Sequence, residues 1–274
     1  MSINIEKDAY KCWVCDESGK KISKLVRRFG NQDQTSAWIE LSGDVNISDF
    51  SAIMREEEAQ KKEATSISLP PEFVSLVGLD DADAPRPMAY LRERGIVRED
   101  IIKWKIGYCK TGEYAKRIII PSFDSKGQLN YFIARLYESG WNKYKNPPTS
   151  RDVVFNELNI DWNQEVVLVE GVFDAIKANN AIPALGSTLR EASTLFTKII
   201  TNCKTVFIAL DADAEKKSEK IIDSFLQYGI EVYRIPTGSY SDVGEMTKNQ
   251  FKQQKSLASF IEREDYLLYK ALTL

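Results

Sequence analysis

An α/β fold built around a parallel, Rossmann-like sheet is predicted for the second half of the chain by two observations. From Glu165 onward, apolar runs alternate with amphipathic stretches: strand Val166–Val169, helix Val172–Asn179, strand Ile182–Leu185, helix Leu189–Thr201, strand Val206–Leu210, helix Ala214–Tyr228 and strand Val232–Ile235. Such alternation implies parallel strands joined by crossover helices that cover both faces of the sheet. Two of the runs also end in acidic motifs, Val-Leu-Val-Glu-Gly-Val-Phe-Asp at 167–174 and Phe-Ile-Ala-Leu-Asp-Ala-Asp at 207–213. The helix over 214–228 gathers Ile221, Ile222, Phe225 and Leu226 on one side and turns Glu215, Lys216, Lys217, Glu219 and Lys220 to solvent, so its apolar stripe is core.

The acidic motifs read as a metal site. Side chains on an extended segment alternate faces, so Asp211 and Asp213 point the same way as their strand runs out. Mg²⁺ takes oxygen ligands from one or two carboxylates and fills its shell with water and substrate phosphate. Glu170, leaving a second strand, supplies a further carboxylate. An Asp after a strand also commonly caps the next helix, and Asp213 alone fits that description equally well. Several carboxylates at the carboxyl ends of neighbouring parallel strands, however, repel one another at the place where such folds bind ligands, and a divalent cation resolves the repulsion.

Composition narrows the chemistry. The 274 residues are 43% hydrophobic, enough for one large or two small domains with real cores. No apolar run approaches a bilayer span and no basic-then-apolar leader opens the chain, so the expectation is a cytoplasmic protein without membrane contact. A formal net charge of −3 argues against general nucleic-acid coating and leaves any such contact to local basic patches. Histidine is absent, which removes Ser-His-Asp triads, His-ligated zinc enzymes and His general bases and leaves carboxylates, metals and cations.

Five regions are expected. Residues 1–50 contain Tyr-Lys-Cys-Trp-Val-Cys at 10–15, in which Cys12 and Cys15 form a C-x2-C knuckle ahead of a helix-like stretch from Ile22 to Phe29. A structural zinc ion needs four ligands, so this pair reads either as half a zinc ribbon or as a β-turn with two free cysteines. Residues 51–68 are a highly charged, partly helical linker, and 69–160 a basic subdomain. In the latter, Tyr90-Leu-Arg-Glu-Arg-Gly-Ile-Val-Arg-Glu-Asp-Ile-Ile reads as two short helices around a Gly break. Residues 161–250 hold the parallel sheet, and 251–274 form a helical tail.

Within the basic subdomain, apolar strands flank the Asp-Ser-Lys-Gly turn at 124–127, a β-hairpin with Arg117 and Arg135 at its ends. The Pro-stiffened Lys143-Tyr-Lys-Asn-Pro-Pro loop follows. Each charge taken singly fits a solvated face; clustered just ahead of the acidic motifs, they form a candidate phosphate-binding patch.

Glu170-Gly171 with Asp174-Ala175, then Gly186-Ser187, Asp211-Ala212-Asp213 and Ser241-Asp242-Val243-Gly244-Glu245 resemble the TOPRIM domain of bacterial-type primases, topoisomerases and certain nucleases. The segment from Arg117 to Gly127, Phe132-Ile-Ala-Arg135 and Lys143 to Pro148 look like the basic subdomain that DnaG-like primases place before TOPRIM. By layout, the chain is most similar to the single-domain primase of T-even-like bacteriophages. The expected architecture is therefore a TOPRIM sheet preceded by a small α+β basic subdomain and a partial zinc ribbon. The family's ribbon has two knuckles and only the second matches Cys12 and Cys15, so a ribbon truncated at its amino end is expected.

The resemblance implies RNA primer synthesis on single-stranded DNA from NTPs in phage DNA replication. It further implies that Asp211, Asp213 and Asp242 hold Mg²⁺ or Mn²⁺, with Glu170 as a further ligand or general base. Arg117, Arg135, Lys143, Lys145 and Asn146 would grip phosphates, and Tyr144 would stack on a base or be buried against the hairpin. Ser241 replaces a residue that is usually basic in primases. No G-x4-G-K-[ST] loop occurs, so a separate replicative helicase is the implied partner. Two other readings stay open: a non-catalytic helicase- or DNA-binding replisome subunit, and a TOPRIM nuclease with water as nucleophile.

Overall fold

The computed structural model describes residues 1–7, 9–11, 18–20, 22–30, 34, 37–38, 67–185, 189, 193–210 and 215–262. They form two compact units, Met1–Ser66 with Ser224–Gly229 and Ile67–Asp223 with Ile230–Leu274. In the first, β1 (Ser2–Asn4), β2 (Ala9–Lys11) and β3 (Ser18–Lys20) make a small antiparallel sheet followed by α1 (Ile22–Phe29), which buries Ile22 and Leu25. Cys12, Cys15 and most of the expected linker lie outside the described residues.

The second unit opens with a four-stranded antiparallel sheet of order β4 (Phe73–Ser75), β5 (Gly107–Cys109), β6 (Arg117–Phe123) and β7 (Leu129–Leu136). Between β4 and β5 lie the two expected short helices, α2 (Pro85–Glu93) and α3 (Arg98–Lys103). Pro85 suits the first turn of α2, where a missing N–H costs nothing. The chain turns out of α2 at Gly95, whose φ of +62° is a conformation that only glycine adopts freely. Strand β6 is buried on both faces. Ile118 and Ile120 join the main core, while Ile119 packs with Cys109, Tyr114, Phe132 and Ala134 on the other side. This explains why the strand reads as a continuous apolar run and not as an alternating one.

The second sheet has order β12 (Ser259–Phe260), β11 (Glu231–Arg234), β10 (Thr205–Ala209), β8 (Val166–Val169), β9 (Ala181–Pro183). Three of its four pairings are parallel, and at the edge β12 runs antiparallel to β11. Helices α4 (Val172–Lys177), α5 (Thr194–Asn202) and α6 (Glu215–Gln227) connect the parallel strands, and α7 (Lys248–Ser256) leads from β11 to the antiparallel edge strand β12. Val167 and Val169 share one core with Ile118, Ile120, Tyr131 and Ile133, so the two sheets of this unit are fused through a common interior. Burial of each such Val or Ile side chain is worth roughly 1.5–3 kcal/mol.

Two elements differ from the pattern-based expectation. Helix α5 begins at Thr194 and not at Leu189, because Ser193 caps it, its hydroxyl accepting from Phe196 N–H at 3.3 Å. The segment from 251 onward stays helical only to Ser256; Ser259 and Phe260 then pair with Arg234 and Tyr233, and the Phe260 ring sits 5.2 Å from that of Tyr233. Residues after 262 lie outside the described set.

Candidate active site

The sheet order locates the site. The chain passes from β8 outward to β9, then crosses back over β8 to β10, so the crossover direction reverses between β8 and β10. Open α/β sheets bind ligands at the carboxyl ends of strands at this switch point. Val169 pairs with Ala209 there, so Glu170 and Leu210 leave the sheet side by side. Asp211 and Asp213 follow on the β10 side but lie outside the described residues, as do Gly186 and Ser187.

On the β8 side, Glu170 is half-buried and Gly171 is the N-cap of α4. Gly171 N–H donates to Asp174 Oδ2 at 2.7 Å, and a β-carbon at Gly171 would stand 3.2 Å from the same oxygen. The backbone N–H of Gly244 also donates to Asp174. Asp242 caps the short 3-10 turn Val243–Glu245, its Oδ1 accepting from Glu245 N–H at 2.9 Å. Ser241 N–H donates to Glu245 Oε2 at 3.1 Å, and the Ser241 hydroxyl together with this backbone N–H holds the Glu245 carboxyl below its ordinary range.

Asp174, not singled out as a site residue from sequence, is thus at the centre of the described cluster. It is 8% exposed, and its carboxyl is pushed up to about 6. Burial is the main cause, the neighbouring charges of Asp242 and Glu170 add to it, and the two backbone N–H donors oppose it. The signal available in the sequence is an acidic residue three positions after the N-cap, the spacing of a capping box.

The donor set fits a hard divalent cation: carboxylate oxygens whose mutual repulsion already disfavours full ionisation. No group of three or more metal-ligating side chains is drawn together among the described residues, Asp211 and Asp213 being outside them.

The candidate phosphate-binding residues are placed by β7. Leu136 N–H donates to Lys143 C=O at 2.9 Å, Lys145 N–H to Ala134 C=O at 3.0 Å, and Ala134 N–H to Asn146 Oδ1 at 3.4 Å. The Lys143–Asn146 loop therefore runs as an antiparallel edge along β7, with Arg135 opposite Tyr144. The Arg135 guanidinium lies 4.8 Å over the Tyr144 ring. Lys143 is exposed, whereas Lys145 pairs with Glu113 at 3.2 Å. Arg117 serves differently from the phosphate grip expected of it. It is 7% exposed, and its guanidinium donates to the carbonyls of Asn142 and Lys143 at 3.0 and 3.3 Å. In this conformation it supports the loop from beneath, and burial lowers its pKa.

Arg94 is a further cation that sequence reasoning missed. It lies 4.6 Å over Phe173 of α4 and 5.2 Å over Tyr90, and its Nε donates to the Tyr90 hydroxyl at 2.7 Å. Its charge also acts on the Tyr144 hydroxyl. Arg94 thereby links the helix that carries Asp174 to the basic loop. A lone Arg beside a Gly break offers no pattern that would have identified it.

With this geometry in hand, comparison with known proteins is decisive for the fold. The chain superposes on the zinc-binding and RNA polymerase domains of the Aquifex aeolicus primase with a TM-score of 0.56 at 19% identity, covering 94% of this chain and 75% of that one. The chain has the fold of the DnaG primase catalytic core. It is likewise similar to a DnaG primase catalytic domain bound to single-stranded DNA, with a TM-score of 0.56 at 17% identity over 69% of this chain and 75% of that one. Among curated sequences, the DNA primase of Listeria innocua is 21% identical over 325 aligned residues, which span 93% of this chain and 51% of the relative. The chain spans about half the length of the curated relatives it matches. No family model matches it.

Proposed function

We propose that the chain is a primase catalytic unit, joining ribonucleotides from NTPs to a 3′-hydroxyl on a single-stranded DNA template with release of pyrophosphate. The observation that carries this reading is the buried Asp174 carboxyl, with the charges of Asp242 and Glu170 acting on it, at the switch point of a sheet whose fold is that of primase catalytic domains. Glu170, Asp211, Asp213 and Asp242 would hold Mg²⁺ or Mn²⁺, which when bound supplies charge neutralisation for an in-line displacement at phosphorus. Asp174 orders the entry to α4 and the turn around Gly244, setting where the other carboxylates stand. Arg135 and Lys143 supply the cationic face toward phosphate, Asn146 fixes the loop to β7, and Arg117 holds its carbonyls. Phosphate contacts of this kind position a strand without reading its sequence.

Use in phage replication beside a separate helicase, and a zinc site at Cys12 and Cys15, extend the same reading and rest on resemblance of layout. The test is primer synthesis on mixed-sequence single-stranded DNA with labelled NTPs and Mg²⁺ or Mn²⁺. Short RNA products that disappear in Asp211→Ala/Asp213→Ala establish the activity. Binding of single-stranded DNA without any product makes the chain an accessory subunit, and metal-dependent cleavage of the template makes it a nuclease.

A further inference from the structure

A second concentration of charge lies away from the carboxylates. A cavity of about 510 Å³ is bordered by α3, the end of α4 and α7. Ala181, in its wall, pairs in register with Val167 near the start of β8, so the cavity sits at the amino ends of the strands, opposite the carboxylate site. Five lysines line it, Lys103, Lys177, Lys248, Lys252 and Lys255, and among the described residues Asp100 is the one acid in the lining. This excess of cations occurs in a chain whose formal net charge is −3.

Two of the five are committed elsewhere. Lys248 pairs with Asp100, and Lys255 with Glu165 at 3.1 Å. Lys103 and Lys252 are exposed and make no ion pair among the described residues. Lys177 is only 5% exposed, yet its ammonium makes one hydrogen bond among the described residues, to Gly95 C=O at 2.8 Å. A buried ammonium has three donors and is costly to leave under-satisfied, so an anion brought beside it offsets that cost. Burial lowers its pKa and nearby Lys248 and Arg94 push the same way, against Asp100, which is the electrostatic condition an anion would relieve. Trp104 and Phe251, 5% and 3% exposed, supply an apolar part of the wall.

We propose that this cavity binds a phosphorylated small molecule of nucleotide size, its phosphates among Lys103, Lys177 and Lys252 and its organic part toward Trp104 and Phe251. The volume lies within the range of small-molecule sites, which are concave and combine apolar lining with a few charged or polar groups that fix the ligand. Clustered ammonium groups serve as point charges for phosphate.

The experiment is calorimetric titration of ATP into the full chain carrying Asp211→Ala/Asp213→Ala, in chelator, so that the carboxylate site and the primase reading play no part. One ATP per chain is expected, displaced by inorganic tripolyphosphate. Lys252→Glu, an exposed change, is expected to weaken binding about tenfold or more, as is Lys177→Met with an unaltered melting curve. Absence of saturable binding overturns the proposal, as does binding indifferent to Lys252→Glu and Lys103→Glu. Displacement of ATP by a single-stranded oligonucleotide with the same lysine dependence also overturns it, assigning these lysines to a polynucleotide instead.

Discussion

A β-carbon on Gly244 would stand 2.8 Å from Oδ1 of Asp174 and 3.2 Å from Oδ1 of Asp242, so two carboxylates close against a backbone position with room for hydrogen alone. Real side chains do not tolerate the shorter contact, and both partners belong to the site. Gly244→Ala must therefore move Asp174 or the Val243–Glu245 turn. Overpacking of this kind costs about 1–3 kcal/mol. The expected outcome is a drop of about tenfold or more in nucleotide incorporation, since small misplacements at a reacting centre are amplified in rate. Circular dichroism and primer-extension rates measured on the same preparation check it, and full activity in Gly244→Ala would remove Asp174 from the working site.

The raised carboxyl of Asp174 makes stability depend on pH. Its folded value of about 6 lies above the ordinary 3.8, so the folded chain holds this proton more tightly than the unfolded one. The associated stability is fully present below about pH 4 and is lost as pH rises through about 6, on the order of 3 kcal/mol. Asp174→Asn should flatten this part of the profile in chelator and be the more stable protein at pH 7. Urea melts of both proteins from pH 4 to pH 8 decide it, parallel profiles being the contrary result.

The pattern of residues makes the central sheet legible and leaves the support of the site hidden, for physical reasons. Val166–Val169 and Val206–Ala209 are buried on both faces, so they appear as uninterrupted apolar runs whose ends can be read to within about a residue. Ser259–Phe260 is too short for any period to register and becomes a strand only by pairing with β11. The start of α5 depends on Ser193 and on Thr194 N–H donating to Asp152 Oδ1 at 2.8 Å, a partner forty-two residues away. Glu170 and Asp242 stand out as acids after a strand or before a turn. The burial of Asp174 and Arg117 follows from tertiary packing; the capping-box spacing of Asp174 marks a helix entry but not a buried carboxyl, and nothing local marks Arg117 as buried.

Arg117 and Lys143 should separate structure from binding. Removing the Arg117 guanidinium strands the carbonyls of Asn142 and Lys143, and each lost bond to a charged group is worth about 1.5–3 kcal/mol. Arg117→Met is therefore expected to lower the urea midpoint as well as single-stranded DNA affinity. Lys143→Ala should leave the midpoint unchanged while weakening DNA binding and reducing its salt slope by about one. Equal stability of both variants would mean that Arg117 does not hold the loop.

Arg94 offers the sharpest test of communication between the basic loop and the carboxylate helix. Its planar guanidinium lies over both Phe173 and Tyr90 while Nε bonds the Tyr90 hydroxyl, a combination that an ammonium cannot reproduce. Arg94→Lys keeps the charge and loses the stacking and the directed bond, each worth about 0.5–2 kcal/mol. If the link positions Phe173, and through it the neighbouring Asp174, the variant should lose roughly tenfold in the rate of incorporation at saturating NTP, with DNA affinity little changed. A rise in the NTP concentration needed for half-maximal rate, with the maximal rate intact, would instead make Arg94 a phosphate ligand. Wild-type kinetics would reduce the stack to packing.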